Sequence, residues 1–181
     1  MTLNSDVIRI VVTGTVGAGK STFVQTVNQF GVVETDEIAT DAMALRKPTT
    51  TVALDFSRIA LSSNIVLHVY GTPGQSRFDF MWELLIQRAH VYVVLVAAHR
   101  PEDLPQTRGI MTFMAERTSV PMIIGITHTD CSGAMGPTAI LAQLGYLDLG
   151  HQPPHLIINP HERSSVFAAL ATAANQIMIR P

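Results

Sequence analysis

The chain has 181 residues, of which 47% are apolar and only 14% charged, enough for one domain with a sizeable core and too apolar for an intrinsically disordered chain. A formal charge of −2, with two lysines among twelve basic residues, argues against nucleic acid as a primary partner. The single cysteine, Cys131, has no partner for an internal bridge and fits a reducing compartment, and no apolar run approaches membrane-spanning length. Met1-Thr2-Leu3-Asn4 carries no secretory pattern and Ile179-Arg180-Pro181 no prenylation cysteine, so the expected location is cytoplasmic.

The β-branched run Val7 to Thr13 predicts a buried strand. It leads into Gly14-Thr15-Val16-Gly17-Ala18-Gly19-Lys20-Ser21, a full match to G-x-x-x-x-G-K-[ST]. Thr22 to Phe30 follows, with Phe23, Val27 and Phe30 at helical spacing and Gly31 as a stop. Strand, glycine loop and helix together form the context of a phosphate site. Gly14, Gly17 and Gly19 allow backbone N–H groups to turn toward a phosphate, helped by the positive end of the helix dipole. Lys20 supplies a point charge for the β- and γ-phosphates, and the Ser21 hydroxyl is placed to ligate Mg²⁺. The expected contacts of a nucleoside triphosphate in this stretch are Gly14, Gly17, Ala18, Gly19, Lys20, Ser21 and Thr22.

Residues 32–50 are polar, long for a loop in a compact domain, and therefore a candidate for function. Val52 to Ile59 alternates like a half-buried strand, Ser62-Ser63-Asn64 supplies turn residues, and Ile65 to Tyr70 is the next strand. So short a connection makes the pair antiparallel. After the break at Gly71-Thr72-Pro73-Gly74, Phe78 to Arg88 reads as helical. Val91 to Ala97 has the uninterrupted β-branched character of a central parallel strand. Pro101 to Arg117 is a predicted helix, opened by Pro101, Glu102 and Asp103. Pro121 to Thr127 is a strand, Gly136-Pro137 starts a short helix ending near Gly145, and His155 to Asn159 is a short strand. Glu162 to Ile179 closes the chain as a helix with Val166, Leu170, Ala173 and Ile177 on one face. The predicted fold is a single α/β domain over residues 1–181: a doubly wound, mostly parallel six-stranded sheet with one antiparallel edge strand and about five flanking helices.

In such a sheet, ligand-binding groups belong in the loops at the carboxyl ends of the parallel strands. Three further stretches fall there. Thr49-Thr50-Thr51-Val52-Ala53-Leu54-Asp55-Phe56 is similar to T-I-G-V-D-F of Rab-type proteins. Tyr70-Gly71-Thr72-Pro73-Gly74-Gln75-Ser76-Arg77-Phe78 is similar to W-D-T-A-G-Q-E-R-F. Gly125-Ile126-Thr127-His128-Thr129-Asp130 is similar to G-N-K-x-D. In this order they resemble the Ras-like small GTPases of the P-loop NTPase superfamily over essentially the whole chain. The Thr-Pro-Gly-Gln form is nearest to the bacterial Rab-like and gliding-motility polarity GTPases.

That resemblance implies binding of GTP and GDP with Mg²⁺, slow GTP hydrolysis, and switching through loops 32–51 and 71–78. It implies that Ser21 and Thr51 ligate the metal, with Thr50 or Thr49 in place of Thr51 if the register slips by one or two, and that the Gly74 N–H meets the γ-phosphate. Gln75 orients the attacking water, with Lys20 as the second catalytic group. Asp130 accepts hydrogen bonds from guanine N1–H and the 2-amino group, which adenine lacks. Thr127 stands where relatives have asparagine and His128 where they have lysine, weakening one contact and placing a ring over the base. The His161 N–H is the candidate for guanine O6. Gly71 replaces the aspartate that supports Mg²⁺, and Asp55 on the neighbouring strand is the only nearby carboxylate to compensate. Roadblock/longin-type regulatory proteins are the partners the resemblance implies.

Two other functions fit a P-loop. A small-molecule or nucleotide kinase needs an acceptor pocket and usually an arginine-rich lid, but the long polar segment after the third strand is missing and the Pro-Gly-Gln-x-x-Phe loop has no kinase role. A nucleotide-binding module without hydrolysis is compatible with Gly71 and Thr127. Arg46 and Lys47 read as solvated loop charge or as a source of transition-state charge. His99, His151 and His155 show no metal spacing, and Met111, Phe113 and Met114 read as packing residues.

Overall fold

The structure, a computed structural model, describes residues 6–29, 55–62, 64–73 and 79–178. Strands β1 (Asp6–Gly14), β2 (Asp55–Ala60), β3 (Ile65–Gly71), β4 (Val91–Ala97), β5 (Met122–Thr127) and β6 (His155–Ile157) form one sheet in the order β2-β3-β1-β4-β5-β6. Only β2 runs antiparallel, on β3; every other pairing is parallel. The helices are α1 (Lys20–Asn28), α2 (Asp79–Ile86), α3 (Leu104–Arg117), α4 (Pro137–Gln143) and α5 (Arg163–Met178).

The β-branched runs sit where burial on both faces demands them. All seven residues of β4 are buried, as are Ile10 to Gly14 of β1. Successive side chains of a strand point to opposite faces, so each central strand feeds two cores. Ile10 and Val12 join Phe23 and Val27 of α1 and Leu170 and Ala173 of α5. Val11 on the opposite face joins Trp82 and Ile86 of α2, Met114 of α3 and Leu141 of α4. The sheet is therefore wound on both sides, as its strand pattern predicts.

β1 lies between β3 and β4, so the chain leaves it toward one edge and later returns to the other. The carboxyl end of β1 is thus the topological switch point, where open α/β sheets bind their ligands.

Local departures from the predicted elements have local causes. Pro101–Asp103 form a 3₁₀ turn and the α-helix begins only at Leu104, with Pro105 early in it, where a missing N–H costs no helical bond. β6 ends at Ile157; the Ile158 N–H still reaches the Ile126 carbonyl at 2.8 Å, whereas the Asn159 N–H turns to the Ser165 hydroxyl at 2.9 Å. No helix among the described residues is long and apolar enough to cross a membrane.

Candidate functional site

The loop from Gly14 to Gly19 leaves β1 at the switch point and enters α1 at Lys20. Gly14 could be no other residue: its φ is +142°, and a Cβ there would lie 2.4 Å from the Leu95 carbonyl oxygen. Gly19 caps α1 in the left-handed region with φ 98° and offers no side chain to the first amides of the helix. Those amides stay open to an anion.

Lys20 is 7% exposed, and its ammonium donates to the Thr15 carbonyl at 2.6 Å. Burial lowers its pKa from 10.5 to about 8, against an opposing pull from Asp55. The Ser21 hydroxyl donates to Asp55 Oδ2 at 2.5 Å. Asp55 pairs with Gly71 in the β2–β3 ladder, and a Cβ built on Gly71 would lie 3.5 Å from that same Oδ2. A carboxylate is therefore present beside Ser21, supplied by β2 rather than β3. Next to Gly71, the Thr72 hydroxyl donates to that of Thr13 at 3.0 Å, and the Trp82 indole holds the Pro73 carbonyl at 3.0 Å.

On the other side of the loop, the Thr127 hydroxyl at the end of β5 donates to the Ala18 carbonyl at 2.9 Å. Threonine in place of asparagine still ties this strand to the phosphate loop. Because the Thr127 proton is engaged, the His128 Nδ1 that lies 2.9 Å from Thr127 Oγ1 is assigned as the donor of that contact. His128 adopts φ 56°, and its ring lies 4.6 Å from that of His99. Burial first, then His99, hold the His128 pKa below the ordinary imidazole value, against Asp130. A cleft of about 310 Å³ opens here, lined by Gly19, Thr22, His128, Asp130, Pro160 and His161 among others. The His161 N–H, expected to meet a base, donates instead to its neighbour Asn159 Oδ1 at 3.1 Å.

Lys20, Ser21, Thr127, His128 and Asp130 thus gather around one continuous loop and cleft. Thr51, Gly74 and Gln75 lie outside the described residues, as do Arg46 and Lys47. Two residues escaped the sequence reading. Arg100 Nη1 donates to the Val16 carbonyl at 2.9 Å, and Asp103 grips the same guanidinium, with Oδ2 3.1 Å from Nε. The signal was available: they occupy the loop after β4, another carboxyl-end loop of the parallel sheet.

A glycine loop at the switch point of this sheet order, with a cleft beyond β5 and β6, defines a P-loop α/β protein with the Ras-like small-GTPase fold. The Arl6 BBS3 small GTPase from Trypanosoma brucei, solved with the nucleotide analogue GppNp, shares that fold. Its TM-score is 0.71 at 16% identity, covering 97% of this chain and 100% of that one. The chain belongs to the family described as conserved hypothetical ATP binding protein, whose model matches residues 31–144. That span holds Asp55, Arg100 and Asp130 but not Gly14–Ser21, so the phosphate loop is independent of the match. An uncharacterised protein of Methanocaldococcus jannaschii, MJ1339, is 26% identical over 129 residues, 71% of this chain and 74% of its own length. ADP-ribosylation factor-like protein 8c of Arabidopsis thaliana is 26% identical over 135 residues, 73% of this chain and 66% of its own length.

Proposed function

We propose that the protein binds GTP and GDP with Mg²⁺ and hydrolyses GTP slowly as a molecular switch. The observation that carries this reading is the continuity of the site. The Lys20 and Ser21 end of the phosphate loop runs through Gly19 and Thr22 into the cleft that Asp130 lines. A triphosphate on the loop would present its base to Asp130, whose carboxylate matches the guanine N1–H and 2-amino donors. The family's description names ATP, and the Arf-like relatives' names point to GTP. Asp130 favours the second.

The donor set suits Mg²⁺, a hard cation that takes oxygen ligands and keeps several waters. The Ser21 hydroxyl would ligate it and the Asp55 carboxylate, already bonded to Ser21, would support it, with Thr51 contributing as the resemblance implies. Bound there, the ion would neutralise charge on the β- and γ-phosphates. Lys20 holds a compact positive charge against the same phosphates, and the amides at the start of α1 add donors that need no reorganisation. Gln75 orients water and Gly74 meets the γ-phosphate, so loops 32–51 and 71–78 respond to its loss. Slow intrinsic turnover leaves room for a roadblock/longin-type regulatory partner, and the expected setting is the cytoplasm.

Titration of nucleotide-free protein with GTP, GDP, ATP and ADP, with and without Mg²⁺, followed by phosphate-release assays, tests the reading. Guanine nucleotides should bind at least tenfold tighter, about the discrimination of one unpaired buried polar group. Equal or tighter binding of ATP would overturn the base assignment. Tight GTP binding with no phosphate release would replace the switch by a binding module.

A further inference from the structure

Two peptide units of the phosphate loop are gripped by side chains from the ends of neighbouring strands. Thr127 after β5 takes the Ala18 carbonyl at 2.9 Å, and Arg100 after β4 takes the Val16 carbonyl at 2.9 Å. None of the described peptide bonds is cis. In a planar trans unit the carbonyl oxygen and the following N–H point in opposite directions. Holding the Val16 carbonyl toward Arg100 therefore turns the Gly17 N–H away from the guanidinium. The unit is also the centre of a turn closed by the Ala18 N–H on the Thr15 carbonyl at 3.3 Å, a long backbone bond to which the Arg100 contact adds a side-chain hold. Val16 is 53% exposed, and Gly17, at φ 79°, is the residue type freest to rotate.

Arg100 is itself oriented. Asp103 receives Nε at 3.1 Å on one oxygen and Nη2 at 3.3 Å on the other, a two-point contact that sets the plane of the guanidinium. The Thr15 hydroxyl reaches the same carboxylate at 3.4 Å, so Asp103 also touches the loop one residue earlier. We infer that Arg100, aimed by Asp103, is a positioning residue that turns the Gly17 amide toward the β-phosphate. This rests on the phosphate-site reading above but not on which base is bound.

The alternative is that Arg100 merely adds positive charge near the phosphates, and the two roles predict opposite effects at Asp103. If charge alone mattered, Asp103→Asn would remove a repulsive carboxylate and tighten binding. Under positioning, the same change loosens the guanidinium and weakens binding.

The experiment compares the full-length wild type with Arg100→Ala, Arg100→Lys and Asp103→Asn. It measures affinity for GDP, ADP and GMP in Mg²⁺ and the Gly17 amide signal by ¹H–¹⁵N NMR, with thermal melts to check the fold. Arg100→Ala and Asp103→Asn should weaken diphosphate binding about tenfold, the scale of one charge-assisted hydrogen bond. GMP, which lacks the β-phosphate, should change by less than about twofold, since its binding does not use that bond. The diphosphate-induced shift of the Gly17 amide should collapse in both variants, and Arg100→Lys should recover part of it. Unchanged diphosphate affinity with an intact Gly17 shift in Arg100→Ala overturns the inference alone, as does tighter binding by Asp103→Asn. A wild type that binds neither GDP nor ADP overturns the inference together with the phosphate-site reading.

Discussion

Asp55 and Gly71 face one another across the β2–β3 ladder, and the Asp55 side chain stands where a side chain on Gly71 would have to go. A Cβ on Gly71 would come within 3.1 Å of Asp55 Cβ and 3.2 Å of Val24 Cγ2. The carboxylate beside Ser21 therefore comes from β2, and the glycine on β3 leaves room for it. Gly71→Asp in the otherwise native chain should cost about 1–3 kcal/mol of stability through crowding, read by thermal or urea melts. Asp55→Ala should reduce the Mg²⁺ dependence of nucleotide affinity about tenfold, the worth of a charge-assisted contact. The double variant Asp55→Ala/Gly71→Asp should recover part of that dependence. An Asp55→Ala protein with native Mg²⁺ dependence would remove Asp55 from the metal's support.

Lys20 makes the protein's response to alkali unusual. Burial holds its folded pKa at about 8, below the ordinary lysine value of 10.5, so between these pH values the unfolded chain holds more protons than the folded one. Stability of the nucleotide-free protein should therefore rise with pH across that window, by up to roughly 3 kcal/mol from this group. Nucleotide affinity should move the other way, falling above pH 8, because phosphates bind the charged amine and must draw its proton back. Urea melts and titrations at pH 7.5 and 9.5 check both signs, and Lys20→Met should abolish both trends. A nucleotide-free protein whose stability falls over this range in a Lys20-dependent way would refute the assignment.

Thr127 serves three polar atoms with one hydroxyl, touching Ala18 O, Val96 O and His128 Nδ1. Thr127→Val keeps the shape and removes the hydroxyl, leaving buried groups without it. The expected loss is about 1–3 kcal/mol of stability, with weaker nucleotide binding. Thr127→Asn should preserve binding, since an amide can also donate to the Ala18 carbonyl. Melting curves and GDP titrations of the two variants side by side decide whether the hydroxyl or merely its volume matters.

Asp130 supplies the test of base choice. Asp130→Asn exchanges an acceptor for a group that can donate to the xanthine 2-oxo oxygen. Preference should move from guanosine toward xanthosine diphosphate, with the ratio of the two affinities changing by a factor of about ten or more. Competition between the two nucleotides measures that ratio directly. A variant that still prefers guanosine diphosphate as strongly as wild type would show that another group reads the base.

The fold was legible because its signals are local. Val91 to Ala97 is apolar throughout and lies buried on both faces, and β2 and β3, so close in sequence, do pair antiparallel. The loop between β1 and α1 was legible for the same reason, since Gly14 to Ser21 are consecutive. Asp55 could be suspected from the gap at Gly71, but its hydrogen bond to Ser21 depends on strand register, which no spacing reveals. For Arg100 the place after β4 was legible but the contact was not: its bond to Val16 spans 84 residues, and Arg100-Pro101-Glu102-Asp103 by itself opens a helix. The His161 amide was expected to reach a base, and here it donates to Asn159, two residues earlier, a local habit of Asn that competes with any ligand.

The tie from Thr127 to Ala18 also bears on how the domain assembles. The glycine loop is synthesised before the side chains that hold its carbonyls, which follow 84 residues later from Arg100 and 109 residues later from Thr127. Contacts so distant along the chain form only after a large loop has closed, and such closures slow folding. A nascent chain released before β5 is complete would carry the whole glycine motif without the restraint on Ala18. The motif is made well before the residues that complete its geometry.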